Sequence, residues 1–318
     1  MFSKFLNKRL ERFFVKLYES WYENYKGLTK NPRWLLMRKT ARFKIIRSLV
    51  RYFFRDRVKS YFTINTSNSY FADIDVDKVI NNLQSQGLYL GINLPESVVQ
   101  EIVEFAKATP CYGNRQPEFG FFHHQKEYIE TQLGKRFVVA NYFNTALLCP
   151  AIKKLQNDPK LLAIAARYLN AQPVHLGNDM WWSFAGDLKY HQKSKAAQLF
   201  HYDLDDYHFL KFFFYLTDVD EQSGSHVCVC GSHNNKKMSH LWQRNGEREQ
   251  DIIDYYGLKS LISICGKAGF GFAEDPLCFH KGITPTHRDR LILQIEFATT
   301  DYRMQNDFQE ADLLKCLQ

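Results

Sequence analysis

The chain has 318 residues, 45% hydrophobic and 24% charged, which excludes global disorder and leaves room for one large domain or two small ones. No run approaches the roughly eighteen apolar residues that a membrane-spanning helix needs. The net charge of +8 is uneven: residues 1–62 carry 17 Lys and Arg against 4 Asp and Glu, a net +13, and the remainder is net −5. That asymmetry speaks about partners of the N-terminus rather than about fold. The opening residues carry charges every few positions and lack the apolar core of a secretion signal. Seven cysteines, odd in number and scattered, read as reduced thiols, so a cytoplasmic location is expected. Cys228 and Cys230 form the one tight pair, too few ligands for structural zinc.

Residues 1–62 read as a basic, amphipathic helical extension. Phe2, Phe5, Leu10, Phe13, Leu17 and Trp21 recur at helical spacing, Asn31-Pro32 breaks the pattern, and a second stripe runs Leu36, Phe43, Ile46, Val50, Phe53. Such helices either pack on the following domain with their Lys and Arg solvated, or lie at an anionic membrane surface. Nucleic acid is not expected, because no binding motif accompanies the charge.

A polar linker is predicted at Thr63–Tyr70. A helix over Asp77–Gln86, a strand over Gly87–Gly91, a helix from Pro95 to Lys107 and another from Pro159 to about Leu169 follow. From Pro173 the pattern becomes short β runs: Val174–Phe184, Gln198–Leu204, Phe209–Asp218, Ser225–Cys230, Leu258–Ile264, Phe270–Phe279 and Arg290–Thr299. Helices followed by many short strands predict an α+β protein, an antiparallel sandwich or barrel braced by N-terminal helices.

On a strand, residues i and i+2 share a face, so His201 and Asp203 should project together as two thirds of a facial metal triad. Composition alone yields about one His-x-Asp in two chains of this size, and His287/Asp289 is a second instance. The surroundings favour the first. His201-Tyr202-Asp203 precedes Leu216-Thr217-Asp218-Val219, then Ser223-Gly224, Gly231-Ser232-His233, Phe279-His280-Lys281-Gly282, and Arg290 opening the last strand.

These parts, in this order, resemble the phytanoyl-CoA dioxygenase family of Fe(II)/2-oxoglutarate-dependent oxygenases, over roughly residues 76–300. The resemblance implies a double-stranded β-helix (jelly-roll) core and a domain over 76–300, with residues 301–318 as a C-terminal tail. It further implies His201, Asp203 and His280 as iron ligands and Arg290 as the partner of the 2-oxoglutarate distal carboxylate. A planar guanidinium suits bidentate capture of a carboxylate. On the last strand Arg290, Ile292, Gln294 and Glu296 share the face expected to look into the barrel, and Leu291, Leu293, Ile295 and Phe297 the face expected to meet helices. Arg288 has the same parity and is the alternative. Gln198 and Thr284 are further 2-oxoglutarate contacts, while His226 and His233 read as turn and hydrogen-bonding residues. The chain departs from the family where Cys230 replaces a frequent proline and Phe200 a frequent tryptophan.

The expected activity is hydroxylation of an unactivated C–H bond, with Fe(II) as cofactor and 2-oxoglutarate and O2 as co-substrates. A carboxylate at Asp203, rather than a small residue, argues against halogenation. The substrate would be a small molecule, or one linked to a lipid or carrier. The alternatives are a catalytically silent jelly-roll module bound to membranes or a complex, and a metal-dependent hydrolase using the same ligands.

Overall fold

Asp75 opens the helix over Val76–Gln86 by accepting hydrogen bonds from the backbone N–H of Asp77 and Lys78, and Gly87 at φ 73° closes it. The structure, a computed structural model, describes residues 29, 31–54, 68–187, 198–242, 244–304 and 307–317. The apolar stripe expected at Phe2–Trp21 lies outside the described residues.

Helices α1 (Pro32–Thr40) and α2 (Lys44–Phe54) precede α3 (Val76–Gln86), β1 (Leu88–Leu90), α4 (Glu96–Ala108), β2 (Cys111–Gly113) and β3 (Gly120–Phe121). Helix α5 (Lys126–Leu133), β4 (Val139–Tyr142), α6 (Thr145–Leu148), α7 (Pro150–Gln156) and α8 (Pro159–Leu169) follow. Then come β5 (Val174–Ser183), β6 (Phe200–His201), β7 (Phe209–Tyr215), β8 (His226–Val229), α9 (Met238–Trp242), β9 (Asn245–Glu247) and α10 (Glu249–Tyr256). Strands β10 (Leu261–Ile264), β11 (Gly271–Glu274), β12 (Phe279–Gly282) and β13 (Arg290–Ala298) complete the set.

Two antiparallel sheets result. The larger runs β1-β11-β7-β13-β5-β4-β2-β3 and the smaller β10-β8-β12-β6-β9. One face of the larger sheet is covered by α3, α4, α7 and α8, whose Leu83, Ile102, Ile152 and Ile164 bury against Phe212, Phe214, Leu291 and Leu293. This is the parity expected of the last strand, with its odd residues toward the helices. The even residues turn into the space between the sheets.

Several strand expectations are corrected. Gln198–Leu204 narrows to Phe200–His201, because the chain turns after His201 and Asp203 N–H donates to Pro276 O instead of extending a ladder. The run Phe270–Phe279 splits into β11 in one sheet and the start of β12 in the other; Asp275-Pro276 lies at the break, where proline has no N–H to give a ladder. Strand β10 begins only at Leu261, after a 3-10 turn over Leu258–Ser260. The pieces β2 to β4 and β9 are too short to have shown a period.

Part of the basic N-terminal extension packs on this body. Asn31 caps α1 by accepting from Trp34 N–H (3.0 Å) and donates to Tyr302 O (2.6 Å). Met37 and Ala41 are fully buried with Tyr202, Phe209 and Phe279. The expected stripe is shifted: Phe43, Ile46 and Val50 are half-buried, but Leu36 and Phe53 are 61% and 76% exposed. The C-terminal segment is tied down too, since Gly120 pairs with Cys316 and Asn144 N–H donates to Asp307 O.

Candidate metal centre

Two neighbouring strands of the smaller sheet bring the histidines together. His201 on β6 pairs directly with His280 on β12, and their ring centroids lie 4.3 Å apart. Asp203, just past β6, completes the group: its Oδ1 is 3.9 Å from His201 Nε2 and its Oδ2 is 3.7 Å from His280 Nε2. Among the described residues this is the one His/Cys/Asp/Glu cluster with ligand atoms all within 4.8 Å.

The tautomers are set by the backbone. His201 Nδ1–H donates to Leu199 O (2.8 Å) and His280 Nδ1–H to Cys278 O (3.0 Å), leaving both Nε2 lone pairs facing Asp203. Burial keeps the imidazoles neutral, lowering His201 and bringing His280 down to about 3. Burial alone would raise the Asp203 pKa. The Lys211 ammonium, 2.7 Å from Oδ2, and the two neighbouring histidines together outweigh that and hold the carboxyl well below the usual carboxylate range. Two neutral imidazoles and an ionised carboxylate are the donor set of a facial triad with three open positions.

Arg290 opens β13 at the edge of the same cavity, which measures about 510 Å³. It is 4% exposed, donates to Gly224 O and to Ser183 Oγ (3.0 Å), and its Nε has no partner. No carboxylate among the described residues lies within ion-pair distance of it. A buried guanidinium without an acidic partner is a site prepared for an anion. Arg288 is exposed and occupied elsewhere, by Asp220 and Ser223.

The other expected residues fall in different places. His287 is exposed, and Asp289 accepts from His123 Nε2 (3.1 Å) and Ala185 N–H (2.8 Å), so this pair does not form a metal site. Thr284 donates to Gln198, and neither side chain lines the cavity. His226 is on a strand rather than a turn; it lines the cavity and hydrogen-bonds Glu274 Oε2 (2.7 Å). His233 meets the Cys278 thiol (3.5 Å) and Gln84 O, away from the triad.

Sequence reasoning missed Lys211 and its partners. Its ammonium lies 2.7 Å from Asp203, 3.2 Å from Asp205 and 3.5 Å from Glu296. The signal was present: a lone lysine inside the aromatic run Phe209–Tyr215 has to be paired if that run is buried. Trp34 and Arg38 also line the cavity. They come from α1, outside the resemblance, and no motif announced them.

No family model matches the sequence, and no curated protein matches it. Solved structures do. EvdO2 from Micromonospora carbonacea var. aurantiaca, complexed with 2-oxoglutarate, gives a TM-score of 0.51 at 12% identity over 73% of this chain and 94% of that one. SnoN, an epimerase from nogalamycin biosynthesis in complex with Fe3+, alpha ketoglutarate and nogalamycin RO, gives 0.49 at 15% identity over 70% and 82%. HygX from Streptomyces hygroscopicus with nickel and 2-oxoglutarate bound gives 0.48 at 14% identity over 74% and 92%. At 12% identity the likeness to EvdO2 is a likeness of fold, shared over most of both chains.

Proposed function

We propose that the chain is a non-haem Fe(II)/2-oxoglutarate-dependent dioxygenase that hydroxylates an unactivated C–H bond of a small molecule. The observation that carries this is a convergence. Two imidazoles and an ionised carboxylate face one another in the same cavity as a buried arginine that has no acidic partner. His201, Asp203 and His280 would hold the metal, and Arg290 would grip the distal carboxylate of 2-oxoglutarate through its planar fork. Bound there, Fe(II) with 2-oxoglutarate and O2 supplies oxidation of a C–H bond coupled to release of succinate and CO2.

The chain's own residues hold and shield that chemistry. Leu199 O and Cys278 O fix the ring orientations, Lys211 keeps Asp203 ionised, and the two sheets exclude water from Arg290. Strand order supports the double-stranded β-helix reading. From β5 to β8 the chain alternates between larger and smaller sheet, and it does so again from β10 through β13. The phytanoyl-CoA dioxygenase likeness rests on the motif residues alone. Gln198 and Thr284 keep a lesser place in the proposal, because they satisfy each other.

Mn(II) titration and succinate formation test the reading. His201→Ala, Asp203→Ala and His280→Ala should each abolish both with the fold retained, and His287→Ala should leave both intact. Undiminished succinate formation in any of the first three removes that residue from the site.

The exposed part of α2 supports peripheral association with anionic membranes. Ile45, Leu49, Tyr52 and Phe53 are 77%, 54%, 70% and 76% exposed at helical spacing, on a helix that also carries Lys44 and Arg51. Among the described residues no helix is long and apolar enough to cross a membrane. Sedimentation with anionic vesicles, lost in high salt and lost with Ile45→Asp plus Phe53→Asp, is the expected result. Equal sedimentation with neutral vesicles would leave packing as the role of these helices.

A further inference from the structure

The inward residues of β13 form a graded row. Arg290 stands at one end beside Ser183; Ile292 lies opposite Trp181 and Tyr215; Gln294 lies opposite Asp179 and Phe213; Glu296 lies opposite Lys211 at the far end. The row spans roughly 20 Å at strand rise. The candidate metal ligands face its middle and far part, since Asp203 is bonded to Lys211, and His280 stacks 5.4 Å from His226, itself 5.1 Å from Phe213. If Arg290 holds the co-substrate, the far end is what remains for the molecule to be oxidised.

That end is polar yet incompletely satisfied. Lys211 lies among Asp203, Asp205 and Glu296, and on the neighbouring strand β5, beside Gln294, Asp179 meets Arg115 at 3.9 Å. Glu296 Oε1 is buried with no partner. The Trp34 ring, packed with Leu176 and Tyr302, interrupts the charges, and Arg38 lies 4.6 Å over it; Trp181 stands nearer Arg290, opposite Ile292. An acyl chain laid here would bury carboxylates and guanidinium groups against methylenes, each unpaired group costing about 1–3 kcal/mol. A hydroxyl both donates and accepts, so a molecule with several of them can answer carboxylates and cations in turn. A C–H face of its ring would cover the Trp34 indole.

We propose that the end of the cavity remote from Arg290 is a subsite for a polyhydroxylated, sugar- or cyclitol-like group, with Glu296 and Asp179 accepting its hydroxyls and Trp34 carrying its apolar face. The placement rests on the oxygenase reading, which assigns the opposite end to 2-oxoglutarate. The cavity's 510 Å³ suits one small ring system beside a co-substrate.

The test uses the full chain loaded with Mn(II). Calorimetry first follows 2-oxoglutarate, then methyl α-glucoside, trehalose, myo-inositol and palmitoyl-CoA in turn. At least one of the three polyols should bind, and Glu296→Leu and Asp179→Asn should each weaken it by about five- to tenfold, as loss of a hydrogen bond does. Binding of 2-oxoglutarate should stay within about threefold in both variants, which reports an intact fold. The subsite is overturned if 2-oxoglutarate binds and none of the polyols does, if palmitoyl-CoA is preferred, or if neither substitution affects a polyol that binds. Failure of 2-oxoglutarate to bind sinks the oxygenase reading instead, and polyol titration in its absence then decides the subsite by the same two variants.

Discussion

Replacing Lys211 by methionine removes the cation from a buried cluster while keeping much of its volume. The ammonium, on a side chain 7% exposed, lies 2.7 Å from Asp203, 3.2 Å from Asp205 and 3.5 Å from Glu296. Removing one partner of a buried ion pair costs about 3–5 kcal/mol, because the other charge is left uncompensated. Asp205 is 39% exposed and recovers water, and burial holds Glu296 well above the usual carboxylate range, favouring its neutral form. The loss therefore falls mainly on Asp203, at the low end of the range. About 3 kcal/mol corresponds to a fall of about 4–5 °C in melting temperature for a chain of 318 residues. A divalent cation on Asp203 would take over the neutralising role, so Mn(II) should raise the melting temperature more in Lys211→Met than in the parent. Asp203 is ionised in the fold below its unfolded pKa, so its contribution is present above about pH 4 and is lost as pH falls further. The gap between the two proteins should narrow there. Scanning calorimetry with EDTA and with Mn(II) decides it. A metal-free difference under about 1 °C, or equal metal increments, would refute the argument.

Arg290→Ala should weaken 2-oxoglutarate binding by about 2–4 kcal/mol, roughly 30- to 1,000-fold in Kd, while Arg288→Ala stays within about twofold. The reverse order in calorimetry would mean that the inward register of β13 is misassigned. Burial holds His208 down to about 3, so the unfolded chain binds an extra proton between about pH 3 and 6.5. Stability should therefore fall as pH drops through that window, by up to about 1.4 kcal/mol per unit from this residue. His208→Gln, which can still donate to Leu169 O, should flatten urea-melt stabilities between pH 4.5 and 7, and an unchanged slope would clear His208 of the effect.

The parts of the site that were legible are those tied to a period or a motif. The inward row Arg290–Glu296 could be read from alternation because β13 is long and its three polar residues, Arg290, Gln294 and Glu296, all fall on one face. His201 was singled out by the His-x-Asp spacing and His280 by the resemblance alone, yet the reason given for Asp203 was wrong. It shares no strand with His201 and is aimed by a turn, in which its N–H meets Pro276 O and its carboxylate meets Lys211. Such turns leave no period. The split of Phe270–Phe279 was missed because both halves are apolar, and only Asp275-Pro276 marks the change of sheet. The ion pairs of Lys211 were invisible for a plainer reason. Glu296, its neighbour on β13, lies far along the chain, and Asp203 and Asp205, though close in sequence, sit in the irregular segment before β7, whose direction no period announces.

The N-terminal boundary shows where motif reasoning stops. The resemblance begins near residue 76, and charge with helical periodicity set residues 1–62 apart, leaving packing on the following domain and an anionic membrane surface both open. Within that segment α1 divides its residues between two tasks. Met37 and Ala41 bury against Tyr202, between His201 and Asp203, and against Phe279, which precedes His280. One side of a small core is thus built from the extension and the other from the residues flanking the ligands. Trp34 and Arg38, placed on the cavity side by the same helix and by the Asn31 bond to Tyr302 O, form part of the wall facing the polar subsite. A chain starting at residue 63 would lose that wall and uncover the flank of the metal centre together. Its loss of activity would therefore carry no information about membranes. Substitutions on the outward face, at Ile45 and Phe53, separate the two roles, because neither side chain belongs to the buried core.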